Sequence, residues 1–505
     1  MKKLLTTLRG AAVSRGSRSA YVTAAVIAVA IIFNVVIYSL TLLLGLFIYA
    51  PETDDLTLTG DTDAMFADAI ERGKEVTITF CNTEDVLKKH DTGGFVYATA
   101  LFLKEKYPDF INIKYVNIIT GRDENGERYP LSKYTKDMKG NETPLLSNSV
   151  IFTSGQSWRV ITDRATTVGY SDFYSLDSQG NAFAFNGEEV LTSMMAWVLN
   201  DEHKTVYFTQ GHGETADVSF SNMLACAGYY VDLVNLRKGE IPADAHMLVI
   251  SNPISDFEKG GEGVRTELER LSDYVKGGGR LFVTLDPYTR ELAQLQGFLT
   301  EMGITISDSV SEGGIYSRDL IKDSSSAISV DGLSFVAEFG GGELAKKIEG
   351  TVKAHGTGSV LLSNVSRLQL SDNAEGLLYS SDTAVTMNAG KVSDSAGSYA
   401  AAAIATIENR DGEDGRVFVI PSMFLSSGDV LVAEGYSNKD FIYSLLSESM
   451  GATNAPYGCN SVVYNTNTLE NLTMGAARTY TAVLILIPAL LAVSGAVVII
   501  RRKNR

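Results

Sequence analysis

Two patterns of apolar and polar residues alternate between Lys204 and Ser309. Short apolar runs, typical of buried strands, are followed by stretches in which apolar residues recur at helical spacing. Strands that alternate with helices predict an α/β fold with an open, mostly parallel sheet covered on both faces. The predicted strands span 206–209, 229–234, 247–251, 281–285 and 304–306. The predicted helices run from a cap at Asp217 or Ser219 to Ala227, and over 263–276 and 290–302.

The segment before this block has a different order of elements. It predicts a leading helix (57–73), a strand (75–80), a helix (94–107), a second strand (111–118) and a hairpin (149–153 and 158–161). This order resembles a thioredoxin-like domain, and Cys81 stands at the end of the first strand, where redox members carry their motif. Thiol exchange needs a resolving partner, and no second cysteine lies within reach of Cys81. A redox role is therefore not expected.

A helix is predicted to begin beside Asn186, which is suited to the N-cap position. Glu188 and Glu189 follow in its first turn, where the helix dipole favours acidic side chains. Its predicted apolar face consists of Leu191, Met194, Met195 and Val198.

The part of the chain after Ser309 has more widely separated elements. Strands are predicted at 359–362, 383–387 and 416–421, and a helix at 440–450, whereas the alanine-rich stretch 399–407 fits either a strand or a helix. We expect these pieces to extend the central sheet rather than to form an independent unit.

Two long apolar segments predict the topology. Residues 22–50 and 480–500 contain no charged side chain, and a membrane-spanning helix needs about 20 residues. Basic residues precede the first segment and follow the second, so the positive-inside rule places both termini in the cytoplasm and residues 51–479 outside. We therefore expect two transmembrane helices in contact with membrane lipid.

Charge is distributed unevenly along the 505 residues. The chain has 43 basic and 60 acidic residues, and nine of the basic ones lie in the first 20 and last five positions. The part in between therefore has a net charge near −26, which argues against nucleic acid as a partner. The three cysteines allow one disulfide at most, and an exported protein with so few suits a bacterial cell membrane.

These features divide the chain into seven parts. They are a basic N-terminus (1–21), a first span (22–50), a thioredoxin-like domain (51–180), a larger α/β domain (181–455), a linker (456–479), a second span (480–500) and a basic tail (501–505).

The carboxyl ends of the predicted parallel strands are the expected place for a ligand. The candidate ligand-binding or partner-binding residues there are Gln210, Gly211, His212, Gly213, Glu214, Ser251, Asn252 and Asp286. His212 and Glu214 could form an acid–base pair. The favoured interpretation is structural: the glycines supply turns, Glu214 lies near a helix N-terminus, and His212 bonds to a neighbouring loop.

Sequence motifs of the common catalytic and cofactor sites are missing. No Gly-x-Ser-x-Gly follows a predicted strand, and the chain has neither a His-Glu-x-x-His motif nor a phosphate-binding loop. None of the five histidines is spaced as a ligand pair on a helix. We therefore expect no catalytic residue, no metal and no cofactor, and no ATPase within this chain.

A set of short motifs in the same order resembles the GldG-like auxiliary family of ABC transporters. The motifs are Phe185-Asn186-Gly187-Glu188, Gln210-Gly211-His212-Gly213-Glu214, Ser251-Asn252-Pro253 and Gly277-Gly278-Gly279-Arg280-Leu281 followed by Asp286-Pro287. The resemblance implies an extracytoplasmic domain similar to the class I glutamine amidotransferase fold, a doubly wound, flavodoxin-like parallel sheet. It also implies separate ATPase and permease chains as partners, in an export or gliding-type system. The amidotransferase nucleophile is lacking, because Cys226 falls inside a predicted helix.

The function expected from these observations is that of a non-catalytic, membrane-anchored subunit whose external domain binds a substrate, an envelope ligand or a partner. Two alternatives remain open. One is a freestanding envelope sensor or structural protein, and the other is a hydrolase or transferase that uses His212 and Glu214.

Overall fold

The computed structural model describes residues 58–90, 92–162, 171–176, 182–215, 218–258, 265–310, 316–393, 395–425, 427–433 and 435–463. All of them belong to one compact unit, Thr53–Leu472. The two predicted spans, at 22–50 and 480–500, lie outside the described residues. Within the described ranges, no helix has both the length and the apolar character needed to cross a membrane.

The first part of the chain builds a five-stranded sheet. Its elements are α1 (Thr62–Glu71), β1 (Val76–Phe80), α2 (Glu84–Leu87), α3 (Gly93–Lys106), β2 (Ile111–Asn117), β3 (Arg122–Asp123), β4 (Val150–Ser154), β5 (Ser157–Ile161), β6 (Tyr174–Leu176), β7 (Ala182–Phe185) and α4 (Gly187–Leu199). The strand order is β3-β2-β1-β4-β5, with β1 and β2 parallel and β4 antiparallel to both of its neighbours. Helix α1 begins at Thr62, later than predicted, because the Asp61 carboxylate accepts a hydrogen bond from the amide of Ala64.

The predicted strand–helix block follows. It contains β8 (Thr205–Gln210), α5 (Val218–Cys226), β9 (Tyr230–Asn235), β10 (Ala245–Ser251), α6 (Glu267–Lys276), β11 (Arg280–Thr284), α7 (Ala293–Glu301) and β12 (Ile304–Ile306). Strands β8 to β11 are parallel to their neighbours as predicted. The prediction for β12 as a fifth strand of the parallel set is wrong, because β12 pairs antiparallel with a later strand, Leu368–Leu370.

The rest of the chain adds further strands, most of them antiparallel, to the same sheet and also forms small separate sheets. Its elements are β13 (Asp308–Val310), β14 (Tyr316–Arg318), β15 (Leu320–Lys322), β16 (Ser334–Phe339), α8 (Glu343–His355), β17 (Val360–Ser363), β18 (Leu368–Leu370), β19 (Ala374–Tyr379), β20 (Val385–Asn388), β21 (Lys391–Val392), β22 (Ala400–Ile407), β23 (Gly415–Ile420), α9 (Gly428–Leu431), α10 (Asn438–Leu445) and β24 (Val462–Val463). The central sheet has the order β17-β16-β19-β22-β23-β11-β10-β8-β9. The alanine-rich stretch is thus a strand, and β23 lies parallel to β11, so these pieces do extend the central sheet. The chain has an α/β fold.

Alternate side chains of the parallel strands pack on opposite faces of the sheet. On β10, Met247 and Val249 belong to one buried cluster, and Leu248 and Ile250 to the other. A strand with both faces buried has few polar positions, which is why its sequence is an unbroken apolar run.

Three helix starts differ from the predictions for local reasons. Ser219 lies inside α5 and does not cap it, and Asp217 is outside the described residues. Helix α6 begins at Glu267 because Thr266 and Glu269 form a capping box. Helix α7 begins at Ala293 because the Asp256 carboxylate accepts hydrogen bonds from the amides of Gln294 and Leu295.

Helix α4 has no exposed face, in contrast to the single apolar face predicted for it. All of its residues are buried, because α4 contacts β4 and β5 of the first sheet as well as α1, α3 and α5. Because α4 is enclosed on all sides, its polar side chains Glu188, Glu189, Thr192 and Ser193 are buried together with its apolar ones. Asn186 occupies the N-cap position, but its side chain makes no capping bond. It bonds instead to the hydroxyl groups of Ser175 and Ser461, at 2.9 and 2.6 Å.

Candidate functional site

The turn after β8 lies at the edge of the central sheet where parallel strands end. Gly211 and Gly213 have positive φ values of 126° and 73°, and a Cβ atom at position 213 would lie 2.3 Å from Cγ1 of Ile254. Both positions therefore favour glycine. The two glycines fold the chain back so that the side chain between them, His212, points into the protein and is 0% exposed.

His212 is the centre of a buried polar cluster. Its Nδ1 lies 3.3 Å from Glu214 Oε1 and its Nε2 lies 3.1 Å from Glu267 Oε2. Its ring stacks on Phe257 with centroids 3.9 Å apart, and its carbonyl oxygen accepts hydrogen bonds from the amides of Ile254 and Ser255. The cluster joins the turns after β8 and β10 to the start of α6.

Glu214 is held by four hydrogen-bond donors. Burial by itself raises the pKa of this carboxyl group, but hydrogen bonds from His212, from backbone amides and from Thr209 outweigh burial and lower it. The carboxylate accepts from the His212 amide at 2.7 Å and from the Thr209 hydroxyl at 3.0 Å. These contacts fit the structural interpretation of His212 and Glu214, because a ring enclosed in this way is not open to a substrate.

The other predicted site residues meet at the same edge but differ in what they offer a ligand. Gln210 is exposed. The Ser251 hydroxyl donates to the carbonyl of Thr215 at 2.7 Å. Asn252 has a positive φ of 48°, and its buried Oδ1 has no hydrogen-bond partner among the described residues. Asp286 accepts a hydrogen bond from the amide of Tyr288 at 2.9 Å. Their side chains mostly hold this edge of the sheet together, and ligand or partner binding by these residues stays a prediction.

A cavity of about 320 Å³ lies between the first sheet and the helices of the central sheet. One wall comes from β5 and the loop before β4, and the other from α4, α5 and β9. Its polar and aromatic lining residues include Asp137, Trp158, Arg159, Asp172, Trp197, Asn222 and Tyr230. Trp158 and Trp197 are the two tryptophans of the whole sequence.

Arg159 contributes an unusual charge to this cavity. Its guanidinium carbon lies 4.8 Å from the centre of the Trp197 ring, and its Nη1 is buried without a hydrogen-bond partner in the described part of the chain. Burial lowers the pKa of Arg159, and the neighbours that act in the opposite direction are the distant Cys226, Tyr230 and Asp137. No carboxylate of the described residues forms an ion pair with Arg159, whereas buried charges are ordinarily paired.

The far face of Trp197 is covered by His203. The two rings are parallel, with centroids 3.5 Å apart, and Tyr230 meets Trp197 edge-on at 5.3 Å. Burial, and then the charge of Arg159, lower the pKa of His203 to about 4. Trp197 Nε1 and His203 Nδ1 are further buried polar atoms with no partner among the residues described.

The sequence offers little sign of this cavity. Its lining residues come from four separate parts of the chain, 137–162, Asp172, 190–197 and 222–231, and no spacing rule connects them. The one local signal is Arg159 itself, a charged residue within a short strand that is otherwise apolar at Trp158, Val160 and Ile161.

A second buried cluster lies at the start of α4. Glu189 Oε2 lies 2.7 Å from Lys439 Nζ, and the Tyr443 hydroxyl donates to Glu189 Oε1 at 2.5 Å. Glu188 accepts hydrogen bonds from the backbone amides of Thr59 and Gly60. The acids predicted from the helix dipole thus also connect α4 to α10 and to the beginning of the described chain.

The two ends of the described chain meet beside this cluster. The Asn460 amide donates to the Thr59 hydroxyl at 2.9 Å, and the Asp61 amide donates to the Tyr457 carbonyl at 3.1 Å.

Comparison with known proteins adds little to this geometry. No protein-family model matches the chain, and no curated protein matches it. Three solved structures illustrate the similarities found. The mmIFT52 N-terminal domain is 14% identical, with 48% of this chain and 96% of that chain covered and a TM-score of 0.36. A cytoplasmic protein from Salmonella typhimurium is 12% identical over 48% and 98%, with a TM-score of 0.30. PurLQS from Thermotoga maritima is 13% identical over 49% and 99%, with a TM-score of 0.25. With identities and TM-scores this low, these similarities carry no argument about family or function.

Proposed function

We propose that the protein is a non-catalytic auxiliary subunit of an ABC-type export or gliding-type system. Two transmembrane helices, at 22–50 and 480–500, anchor it in a bacterial cell membrane, and its external domain binds a substrate, an envelope component or a partner. Separate ATPase and permease chains complete the system. The proposal combines the charge pattern around the two apolar segments with the motifs that resemble the GldG-like family.

The observation that carries the proposal is the meeting of the two ends of the described chain. A domain inserted between two neighbouring membrane helices has to begin and end at nearby points. The hydrogen bond between Thr59 and Asn460, 401 residues apart in sequence, satisfies this condition.

The strand orders support the finer description of the fold. In the first sheet, the order β2-β1-β4-β5 with α4 packed against it fits a thioredoxin-like domain. In the central sheet, β9-β8-β10-β11-β23 is a parallel set with the doubly wound order 2-1-3-4-5 of flavodoxin-like folds, which fits an amidotransferase-like scaffold. In such a set the order reverses between β8 and β10. The buried cluster around His212 occupies that position, which favours a binding or structural role over catalysis.

Purification of the full chain in mild detergent tests the proposal. We expect an ATPase with a phosphate-binding loop and a multi-span permease to co-purify in constant ratio. A chain that purifies alone would instead support the freestanding envelope protein.

Labelling of intact cells tests the topology separately. Val330 is 86% exposed, and all three native cysteines are buried. A Val330→Cys variant should therefore react with a thiol reagent that does not cross membranes, while the unsubstituted protein remains unlabelled. Labelling of Val330→Cys only after cell lysis would place the domain inside the cell and refute the proposal.

The hydrolase alternative depends on His212 and Glu214. The variants His212→Gln and Glu214→Gln keep polar side chains in the buried cluster while removing acid–base function. If transport depends on binding alone, both variants should support it once their abundance in the membrane is matched to that of the unsubstituted protein. A loss of transport at equal abundance would favour the catalytic alternative.

A further inference from the structure

The cavity beside Arg159 has the chemistry of a ligand site. We propose that it binds the carboxylate of a small organic acid with an apolar or aromatic body, with the guanidinium of Arg159 as the carboxylate partner and the rings of Trp158 and Trp197 beside the body. This deepens the proposed function by naming a class of ligand, and rests on it for the biological context.

The first argument is the unmatched charge. The Arg159 side chain is only partly buried, but its Nη1 is enclosed and has no hydrogen-bond acceptor in the described residues, and a buried polar atom without a partner raises the free energy of the folded state. Guanidinium groups bind carboxylates through paired, planar hydrogen bonds. A carboxylate in the cavity would supply the acceptor that Nη1 lacks.

The second argument concerns the charge of the ligand. Asp137 and Asp172 also line the cavity, and the Asp137 carboxylate is already occupied by hydrogen bonds from the Lys139 amide and from Asn141. With one guanidinium and these two acids nearby, a ligand with a single negative charge is favoured over a phosphate dianion, since each further negative charge would be repelled by Asp137 and Asp172.

The third argument concerns size and surroundings. A cavity of about 320 Å³ is at the lower end of the range for small-molecule sites, roughly 300–1,000 Å³. Trp158, Asn222 and Tyr230 are partly or fully exposed, whereas Trp197 is 1% exposed. The cavity is therefore open at one side and closed by Trp197 at the other, as required for a ligand whose carboxylate enters first.

Intrinsic fluorescence provides a direct test, because both tryptophans of the chain line the cavity. The purified full-length protein in detergent is titrated with 3-phenylpropanoate, with the uncharged 3-phenylpropanamide as the matched probe. We expect a saturable change with the acid and none with the amide. No saturable change with the acid, or an equal change with the amide, would overturn the proposal.

Arg159→Met is the decisive variant. We expect it to weaken acid binding by about 10- to 100-fold, because it removes a hydrogen bond to a charged group, and Arg159→Lys to weaken binding less. The control is Arg72→Met, which removes a surface guanidinium that is 63% exposed and should leave binding unchanged. Binding to Arg159→Met with unchanged affinity would refute the site.

Thermal unfolding separates a ligand site from a structural one. If Arg159 is kept for binding, Arg159→Met should unfold at the same temperature as the unsubstituted protein or higher, and the acid should no longer raise that temperature. If Arg159 acts only by packing on Trp197, the variant should unfold at a lower temperature and the acid should have no effect on either protein, which would overturn the proposal.

Two further probes distinguish the sources of the carboxylate. The tripeptide Ala-Ala-Phe with a free carboxyl terminus, compared with its amidated form, represents a peptide end, whereas 3-phenylpropanoate represents a free acid. Tighter binding of the free tripeptide would identify a peptide terminus as the ligand, and tighter binding of phenylpropanoate a free acid.

A chain that co-purifies with its transporter but binds no acid refutes this inference alone, and a chain that binds the acid but purifies alone refutes the transporter proposal alone.

Discussion

The role of a residue in this protein depends on its surroundings more than on its chemical type. His212 is fully buried and lies between two carboxylates, whereas His203 is partly buried and stacks on Trp197 near the cationic Arg159. The first therefore connects polar groups, and the second stays neutral. Each arrangement leads to a measurable consequence for stability.

Replacing His212 by alanine should reduce the free energy of unfolding by about 3 kcal/mol, because it leaves the buried carboxylates of Glu214 and Glu267 with fewer partners. Chemical denaturation followed by circular dichroism measures the change. Gln210→Ala, at an exposed position of the same turn, is the control and should change stability by less than about 0.5 kcal/mol. Equal effects of the two variants would contradict the structural role of His212.

Stability should fall as the pH decreases from about 6.5 to about 4. Burial, assisted by nearby cations, lowers the pKa values of His203 and His246 from 6.5 to about 4. In this range the unfolded chain binds protons that the folded chain does not, so acid favours unfolding, and the stabilisation is fully present only above pH 6.5. Asp440 acts in the opposite direction, because burial raises its pKa.

The variant His203→Phe isolates the contribution of one histidine. It keeps a flat ring against Trp197 but cannot take up a proton. Unfolding curves recorded at several pH values should show a shallower loss of stability for this variant than for the unsubstituted protein. Identical pH profiles would show that His203 titrates in the folded state as it does in the unfolded one.

At the scale of elements, α4 is the helix that connects the parts of the fold. It contacts the first sheet, and through Glu189 it reaches Lys439 and Tyr443 on α10. Burial by itself lowers the pKa of Lys439, but the nearby carboxylate of Glu189 outweighs this and raises it. The ion pair is almost fully removed from water, so its loss should cost much more than the loss of a surface pair.

Glu189→Gln should reduce the free energy of unfolding by about 3–5 kcal/mol, because Lys439 is left buried without a counter-charge. The double variant Glu189→Gln with Lys439→Met should lose less than the sum of the two single losses, since it removes both charges. Lys353→Met breaks an exposed pair with Glu349 and should cost about 0.3–0.5 kcal/mol. Denaturant unfolding of the four variants measures the coupling, and additive losses would contradict it.

At the scale of the whole molecule, the described part of the chain is stabilised by packing and not by disulfides. Cys81, Cys226 and Cys459 are all free and buried. Burial raises the pKa values of Cys81 and Cys226 to about 12 and also raises that of Cys459. A thiol that is neutral and enclosed is a poor nucleophile.

All three thiols should therefore react with an aromatic disulfide reagent only when the protein unfolds. The rate of reaction, measured spectroscopically at increasing denaturant concentration, should follow the unfolding transition. Rapid reaction of one thiol under native conditions would identify a local opening and would contradict the uniform burial of the three side chains. The unfolded protein in denaturant provides the reference for complete reaction.

The amino-acid sequence by itself determined most of the local structure. Apolar runs and turn residues placed β8, β10, β11 and β23 to within a few residues, because a strand buried on both faces leaves a nearly uninterrupted apolar run in the sequence. Strands β1 and β2 were placed as closely, although polar residues interrupt their apolar positions. Helix ends were less well placed, because side chains such as Asp256 cap them from distant positions. Gly211 and Gly213 predict the turn around His212, and both have the positive φ values that favour glycine.

Only the tertiary structure decided which distant residues meet. It places β23 beside β11 although more than 130 residues separate them, encloses α4 on all sides, and turns the His212 ring into the protein. It also brings Arg159 to Trp197 and leaves Nη1 of the guanidinium without a hydrogen-bond partner among the described residues. Such contacts depend on how whole elements pack together, and the local pattern of apolar and polar residues does not specify that packing.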